Sequence, residues 1–166
     1  EMAVFRTPLA SSIAISRLQV FLEEHLSPEI SKHGVLMDVF GVGILLGGAS
    51  GIGKSECALD LILRGHRLIA DDTVLMKSRN QDLIGTGSPL TKHHMEVRGL
   101  GIINVKELFG AASVRESKKI ELLVEMVEWS QSASLNRTGL DELSDNILDF
   151  EIDKIILRQR MGRWNM

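Results

Sequence analysis

The feature that most constrains this chain is one eight-residue segment of the form G-x-x-x-x-G-K-S. It reads Gly48-Ala49-Ser50-Gly51-Ile52-Gly53-Lys54-Ser55. Glycines let a backbone curl until successive N–H groups point at phosphate oxygens, and a following helix N-terminus favours the same anion. The lysine neutralises phosphate charge, and the serine hydroxyl is a suitable Mg²⁺ ligand. The pattern predicts nucleotide binding where a strand precedes it and a helix follows it.

The flanking sequence supplies this context. Residues 42–46 form a short apolar run typical of a buried strand, and residues 54–64 predict a helix that Gly65 ends. A turn that binds nothing is disfavoured, because a buried strand end seldom holds a lysine without a partner. We therefore predict that residues 48–55 bind a nucleoside triphosphate together with Mg²⁺.

Helical and extended segments alternate along the rest of the chain, which predicts an α/β domain. The expected strands cover residues 35–39, 42–46, 68–70, 74–77, 102–105, 120–129 and 155–157. Turn-forming residues predict turns at 80–82 and 85–89, and residues 93–98 are expected to be helical.

Residues 1–27 are expected to form a lead-in helix from an N-terminal domain that the chain lacks. Ser11 can cap such a helix, apolar side chains follow at helical spacing, and Pro28 stops it. The catalytic domain would then cover residues 28–166. Because the chain begins with Glu1 rather than Met, we expect a piece of a longer protein.

Composition narrows the class of protein. The formal charge is −3 and basic residues are dispersed, which gives no reason to expect nucleic-acid binding. The single cysteine, Cys57, excludes an intrachain disulfide and fits a reducing compartment, so we expect a cytoplasmic protein. The longest apolar stretch, residues 35–46, is broken by Asp38 and two glycines and is too short to span a bilayer, so we expect no membrane partner.

Asp71 and Asp72 end an apolar strand shortly after the loop helix. Strand carboxyl ends face the ligand crevice in α/β sheets, so these carboxylates are candidate functional groups. Three interpretations stay open: an aspartate beside Mg²⁺, a base that takes a hydroxyl proton, or a pair that caps a turn. His33, Glu96 and Arg98 are by themselves equally consistent with ordinary loop residues.

Four segments together resemble the catalytic domain of bacterial HPr kinase/phosphorylase. They are His33-Gly34-Val35-Leu36, residues 48–55, Arg64-Gly65-His66-Arg67-Leu68-Ile69-Ala70-Asp71-Asp72, and Glu96-Val97-Arg98-Gly99-Leu100-Gly101-Ile102-Ile103-Asn104-Val105. The resemblance covers roughly residues 8–163, and the last segment is the most specific to that family.

This resemblance implies a fold like that of phosphoenolpyruvate carboxykinase, a homohexamer and two opposed activities. The first transfers a phosphoryl group from ATP, or from pyrophosphate, to a serine of HPr, the phosphocarrier protein of the sugar phosphotransferase system. The second removes that group with inorganic phosphate as the nucleophile and releases pyrophosphate.

The resemblance also implies roles for individual residues. The positions that match catalytic residues are His33, Lys54, Asp72 and Arg137. Asp72 is expected to be the base, and the adjoining Asp71 is a candidate to share its role. Ser55 and Glu96 match the Mg²⁺ ligands.

One segment departs from the family pattern. The corresponding loop usually reads P-V-R-P-G-R-N, whereas residues 158–165 keep Arg160, Gly162 and Arg163 but lack both prolines. That loop is tied to dephosphorylation, so the departure bears on the phosphorylase activity. A non-catalytic nucleotide-binding regulator and a small-molecule kinase or carboxykinase-like enzyme stay open as alternatives, although the aspartate pair and residues 96–105 favour the protein kinase.

Overall fold

The computed structural model describes residue 4, residues 6–129 and residues 143–159. Within this part of the chain the helices are α1 (Ser11–Leu26), α2 (Lys54–Leu63) and α3 (Val105–Phe109). The strands are β1 (Glu29–His33), β2 (Val35–Val39), β3 (Val42–Gly48), β4 (Arg67–Ala70), β5 (Thr73–Arg79), β6 (Asp82–Gly87), β7 (His94–Val97), β8 (Gly101–Asn104), β9 (Ser117–Lys119), β10 (Leu122–Glu128), β11 (Leu143–Ile147) and β12 (Phe150–Gln159). No helix among these residues is long and apolar enough to cross a membrane.

A six-stranded mixed sheet forms the centre, in the order β11-β12-β10-β3-β2-β4. Strand β10 lies parallel to both β3 and β12, whereas β2 is antiparallel to β3 and to β4. Because two antiparallel steps separate β3 from β4, these two strands run in the same direction. Their carboxyl ends therefore meet at one edge of the sheet, where β3 leads into α2 and β4 leads to Asp71.

The central sheet is covered on both faces. An antiparallel sheet of β1, β5, β6 and β9 packs on one face, and α2 with the β7–β8 hairpin packs on the other. Strand β2 shows how this follows from side-chain alternation, since Leu36 joins the first core while Val35 and Met37 join the second. All three side chains are at most 1% exposed. Each such buried side chain stabilises the fold by about 1.5–3 kcal/mol.

The mixed α/β class, two of the three predicted helices (α1 and α2) and the apolar strands are confirmed. The predicted helix at residues 93–98 is wrong, because this segment forms β7. Met95 and Val97 enter the core there while His94 and Glu96 stay exposed, which is the two-residue period of a strand. The predicted turn at 85–89 is wrong for its first three residues, which belong to β6 and pair with β5.

Candidate active site

The glycine loop, residues 48–55, connects β3 to α2 at the edge where the ends of β3 and β4 meet. Gly48, Gly51 and Gly53 have φ angles of 130°, 77° and 105°, a region that glycine enters without steric cost. A Cβ on Gly48 would lie 2.4 Å from the carbonyl oxygen of Met126, so the loop passes tightly against β10. The expected strand–loop–helix arrangement is therefore present, with Lys54 as the first residue of the helix.

Lys54 is held against the loop that it follows. Its Nζ donates to the carbonyl oxygens of Gly48 and Ala49, each at 3.0 Å. The residue is only 6% exposed, and these two bonds satisfy an ammonium group that would otherwise be costly to bury. The cation thus lies among the backbone groups of the glycine loop.

Asp71 joins the three elements that meet at the cleft. Its Oδ1 accepts a hydrogen bond from Ser55 Oγ and its Oδ2 accepts one from the backbone N–H of Glu96, both at 3.0 Å. The residue is 5% exposed, and this burial raises the pKa of its carboxyl group above the ordinary value. The hydrogen bonds lower that pKa and only partly offset the effect of burial. Asp71 consequently fixes the start of α2 against β7.

Asp72 has a different environment from its neighbour. The N–H of Thr73 donates to the carbonyl of Asp71 at 2.8 Å, the bond of a γ-turn, and Asp72 at its centre has a φ of 66°. Positive φ is uncommon for a residue with a Cβ, although aspartate adopts it more readily than most residues. The Asp72 side chain is 70% exposed, and its Oδ1 lies 3.0 Å from Nδ1 of His33.

These groups surround a cleft of about 230 Å³. The predicted site residues that line it are His33, Ser50, Gly51, Gly53, Lys54, Ser55, Asp71, Asp72 and Glu96. Arg98 also lines it, and Arg98 Nη2 donates to the carbonyl of Gly51 at 3.5 Å. A larger cavity of about 850 Å³ lies between α1 and the turns of two hairpins and contains none of these residues. The smaller cleft is therefore the candidate active site.

Two expectations concern residues outside the described part of the chain. One is the catalytic role expected for Arg137, and the other is the effect of the altered loop, of which the residues beyond Gln159 are not described. Glu56, which sequence reasoning did not select, lines the cleft from the first turn of α2. Its position immediately after the G-K-S triplet was the available signal, because this places it in the first turn of the helix whose N-terminus points at the cleft.

The oxygen donors in the cleft suit a hard cation. No group of three or more His, Cys, Asp or Glu side chains in the described part of the chain is placed to hold a metal ion. The Ser55 hydroxyl and the Glu96 carboxylate line the same cleft, with the Asp71 carboxylate bonded to the former. Mg²⁺ is typically bound by one or two such protein groups together with water and phosphate oxygens. The chemistry of these donors therefore fits Mg²⁺ bound with a nucleotide.

Comparison with known proteins places this cleft in a family. The family model described as the HPr serine kinase C-terminal domain matches residues 24–165. The chain belongs to this family. The HPr kinase/phosphorylase of Geobacter sulfurreducens is 51% identical over 158 residues, which are 95% of this chain and 50% of that protein. The Bacillus subtilis HPr kinase/phosphorylase is 48% identical over 161 residues, 96% of this chain and 52% of that protein.

A solved structure supports the same assignment. The HPr(Ser) kinase/phosphatase from Coxiella burnetii matches with a TM-score of 0.74 and 31% sequence identity, over 81% of this chain and 82% of that chain. The family resemblance seen in the sequence is confirmed. This chain spans about half the length of the curated relatives that it matches.

Proposed function

We propose that this chain carries the active site of an ATP- or pyrophosphate-dependent kinase that phosphorylates a serine of HPr, and that it also removes that phosphate by phosphorolysis. The curated relatives carry the name HPr kinase/phosphorylase. The observation that carries the proposal is the exposed Asp72–His33 pair at the mouth of the glycine loop. This pair supplies a carboxylate beside the phosphate-binding residues, as transfer to a hydroxyl group requires.

Binding of the donor is assigned to the glycine loop. Its backbone N–H groups and the start of α2 bind the β- and γ-phosphates. Lys54 exchanges its carbonyl partners for phosphate oxygens and neutralises their charge. Ser55 and Glu96 would hold Mg²⁺, which when bound supplies further neutralisation of the phosphate oxygens.

Asp72 acts as the general base in the kinase direction. The serine oxygen attacks the γ-phosphorus, the bond from that phosphorus to the β-phosphate oxygen breaks, and Asp72 takes the hydroxyl proton. His33 orients the Asp72 carboxylate through their 3.0 Å contact. Arg137 is assigned, by resemblance alone, to charge on the transferring group.

The phosphorylase direction uses the same carboxyl group. An oxygen of inorganic phosphate attacks the phosphorus of phosphoserine, and the bond from phosphorus to the serine oxygen breaks. The protonated Asp72 returns its proton to that oxygen, and pyrophosphate leaves. Microscopic reversibility requires one group to serve as base and as acid in the two directions.

Asp71 has a separate task in this proposal. Its carboxylate is buried and occupied by Ser55 and the Glu96 backbone, so it holds the metal-binding side of the cleft in place. The shared role considered for Asp71 is therefore not part of the mechanism.

The family resemblance extends the proposal to the whole protein. We assign it a fold like that of phosphoenolpyruvate carboxykinase, a homohexameric assembly and a cytoplasmic location, with no nucleic-acid or membrane partner. Residues 1–27 would connect an N-terminal domain to the catalytic domain at 28–166. Sedimentation velocity of the purified protein tests the assembly.

The direct test of the function is transfer of ³²P from γ-labelled ATP, with HPr present or absent. We expect label on HPr, and on HPr whose acceptor serine is replaced by alanine we expect none. Lys54→Ala should abolish both transfer and the phosphate-dependent release of pyrophosphate. ATP binding without transfer would instead indicate a nucleotide-binding regulator, and label on a small molecule would indicate a metabolite kinase.

A further inference from the structure

The β7–β8 hairpin has two faces of opposite character. Met95 and Val97 are 1% and 4% exposed, and Ile103 packs against the same core. Since side chains alternate along a strand, Glu96 and Ile102 lie on the other face. Ile102 is 74% exposed there, so this hairpin presents a large apolar side chain to solvent beside a charged one.

The strand register places Ile102 at the rim of the candidate active site. Glu96 and Ile102 are direct partners in the antiparallel β7–β8 pair. Side chains in such a pair have Cβ atoms about 5 Å apart and stand side by side. Glu96 lines the cleft, and Ile102 consequently stands at the edge of the same opening.

The tip of the hairpin adds a second apolar side chain. Leu100 is 59% exposed, and its N–H donates to the carbonyl of Val97 at 3.0 Å. Gly99 and Gly101 flank it with φ angles of 85° and 80°, which lets the chain reverse tightly at this point. Arg98 ties the tip to the glycine loop at Gly51, so Leu100 is held near the mouth of the cleft.

The apolar rim formed by Leu100 and Ile102 differs from the interior of the cleft. Apart from Val35, the residues lining the cleft are charged, polar or glycine, and they recognise groups that every phosphoryl transfer shares. Within the described part of the chain, both rim side chains keep more than half of their surface exposed to solvent. A serine of a folded protein that enters the cleft brings its own neighbours against this rim.

We infer that Leu100 and Ile102 bind apolar side chains next to the acceptor serine and thereby select the protein substrate. This inference rests on the proposed function and names the contact by which the same site recognises HPr. Single exposed apolar side chains are ordinary on protein surfaces. What distinguishes this pair is that Ile102 stands opposite Glu96, while Leu100 follows Arg98, which contacts Gly51 of the glycine loop.

The test compares Ile102→Ser and Leu100→Ser with wild type in steady-state phosphorylation of HPr. We expect the KM for HPr to rise about ten- to fifty-fold in each variant, as the loss of one buried aliphatic side chain predicts. The affinity for ATP·Mg²⁺ in calorimetry should stay within about twofold of wild type, because neither side chain binds phosphate. Ile102→Leu should restore most of the affinity for HPr.

Leu63→Ser is the matched control. Leu63 is 66% exposed and lies at the far end of α2, about 14 Å from Lys54 along the helix axis. Its KM for HPr should match that of wild type, so a general effect of removing exposed leucine would be detected.

Each other outcome overturns the inference. If Ile102→Ser kept the KM for HPr of an active wild type, the rim would have no part in substrate binding. If the sedimentation coefficient of this variant also differed from that of wild type, the rim would instead form contacts between copies of the chain. A joint loss of ATP·Mg²⁺ affinity would mean that Ile102 only supports Glu96. Wild-type protein that neither binds nor phosphorylates HPr would overturn the proposed function together with this inference.

Discussion

Two adjacent aspartates occupy different environments because Asp72 lies at the centre of a γ-turn that begins at Asp71. Asp71 is buried and accepts hydrogen bonds from Ser55 and from the backbone of Glu96, whereas Asp72 is exposed and contacts His33. A carboxylate whose oxygens are occupied is suited to positioning, and an exposed one is free to exchange a proton with substrate. The order of the two residues in the chain does not reveal this difference, because the bonds to positions 55 and 96 form only where the end of β4 meets α2 and β7 in the folded protein.

The two aspartates should fail in different ways. Asp72→Asn should lower phosphorylation and dephosphorylation of HPr by about 10²–10⁴-fold and leave ATP·Mg²⁺ affinity nearly unchanged, because only proton transfer is lost. Asp71→Asn should weaken ATP·Mg²⁺ binding, since the Ser55 hydroxyl loses its carboxylate acceptor. Calorimetry combined with steady-state kinetics separates these effects. Equal losses of rate and affinity in both variants would show that the pair acts as one coupled unit.

Glu96 offers a separate test of the metal site. Glu96→Gln should raise the Mg²⁺ concentration needed for half-maximal activity severalfold or more, because a neutral amide is a poorer ligand for a hard cation. The backbone N–H of residue 96 that donates to Asp71 is retained in this variant, so β7 should keep its position beside the cleft. Activity is measured across a Mg²⁺ titration at saturating ATP and HPr. Superimposable titration curves for variant and wild type would exclude Glu96 as a ligand.

At the level of elements, the sequence predicted those strands and loops that a short local run of residues specifies by itself. The apolar runs of β2 and β3 and the glycine loop were recognisable, since burial on both faces of a sheet and the turn chemistry each leave a local signature. Strands β1 and β11 were not predicted. They are short, mostly exposed and polar, and they are defined by pairing with β5 and β12 rather than by their own composition. Strand β7 was mistaken for a helix because four residues are too few to distinguish the two periods.

The junction between β3 and β10 gives a pH-dependent prediction. Glu121 Oε2 accepts the N–H of Gly43 at 2.8 Å and lies 3.3 Å from Lys118 Nζ. The bond from Gly43, with the nearby lysine, lowers the pKa of Glu121 below its ordinary value. A lowered folded-state pKa stabilises the protein above the unfolded pKa, and the stabilisation is lost as the pH falls through the folded value.

Glu121→Gln should therefore destabilise the protein at pH 7, and this effect should fade as the pH falls through the lowered folded-state pKa of Glu121, where the wild-type carboxylate becomes protonated as well. The loss should be about 0.5 kcal/mol, because the side chain is 37% exposed and solvent screens the interaction. Thermal melts of both proteins between pH 3 and pH 7 measure the difference. Glu29→Gln, on exposed strand β1, serves as the control. A difference in melting temperature that stayed constant with pH would contradict the ionic origin of the effect.

On the scale of the whole molecule, one short segment connects the central sheet to its covering layers. It lies between the 3₁₀ helix Ala111–Ser113 and β9. Arg115 lies in this connection. Its backbone N–H donates to the carbonyl of Leu68 at 2.8 Å, and its guanidinium lies 2.6 Å from the carboxylate of Asp38 on β2. One residue thus binds two neighbouring strands of the central sheet. The side chain of Asp38 is only 7% exposed, so the guanidinium of Arg115 compensates the cost of burying this carboxylate.

Arg115→Met should lower the free energy of unfolding at pH 7 by about 2 kcal/mol, because it leaves a buried carboxylate without its guanidinium. Breaking a fully buried ion pair costs more, but the Arg115 side chain is 46% exposed and water reaches one side of the contact. The double variant Asp38→Asn with Arg115→Met should recover much of the loss, since no charge then remains buried. Urea denaturation with a common m-value measures all three proteins. If Arg115→Met lost less than about 0.5 kcal/mol, Arg64 or Arg67, which line the same cavity as Asp38, would have replaced the missing guanidinium.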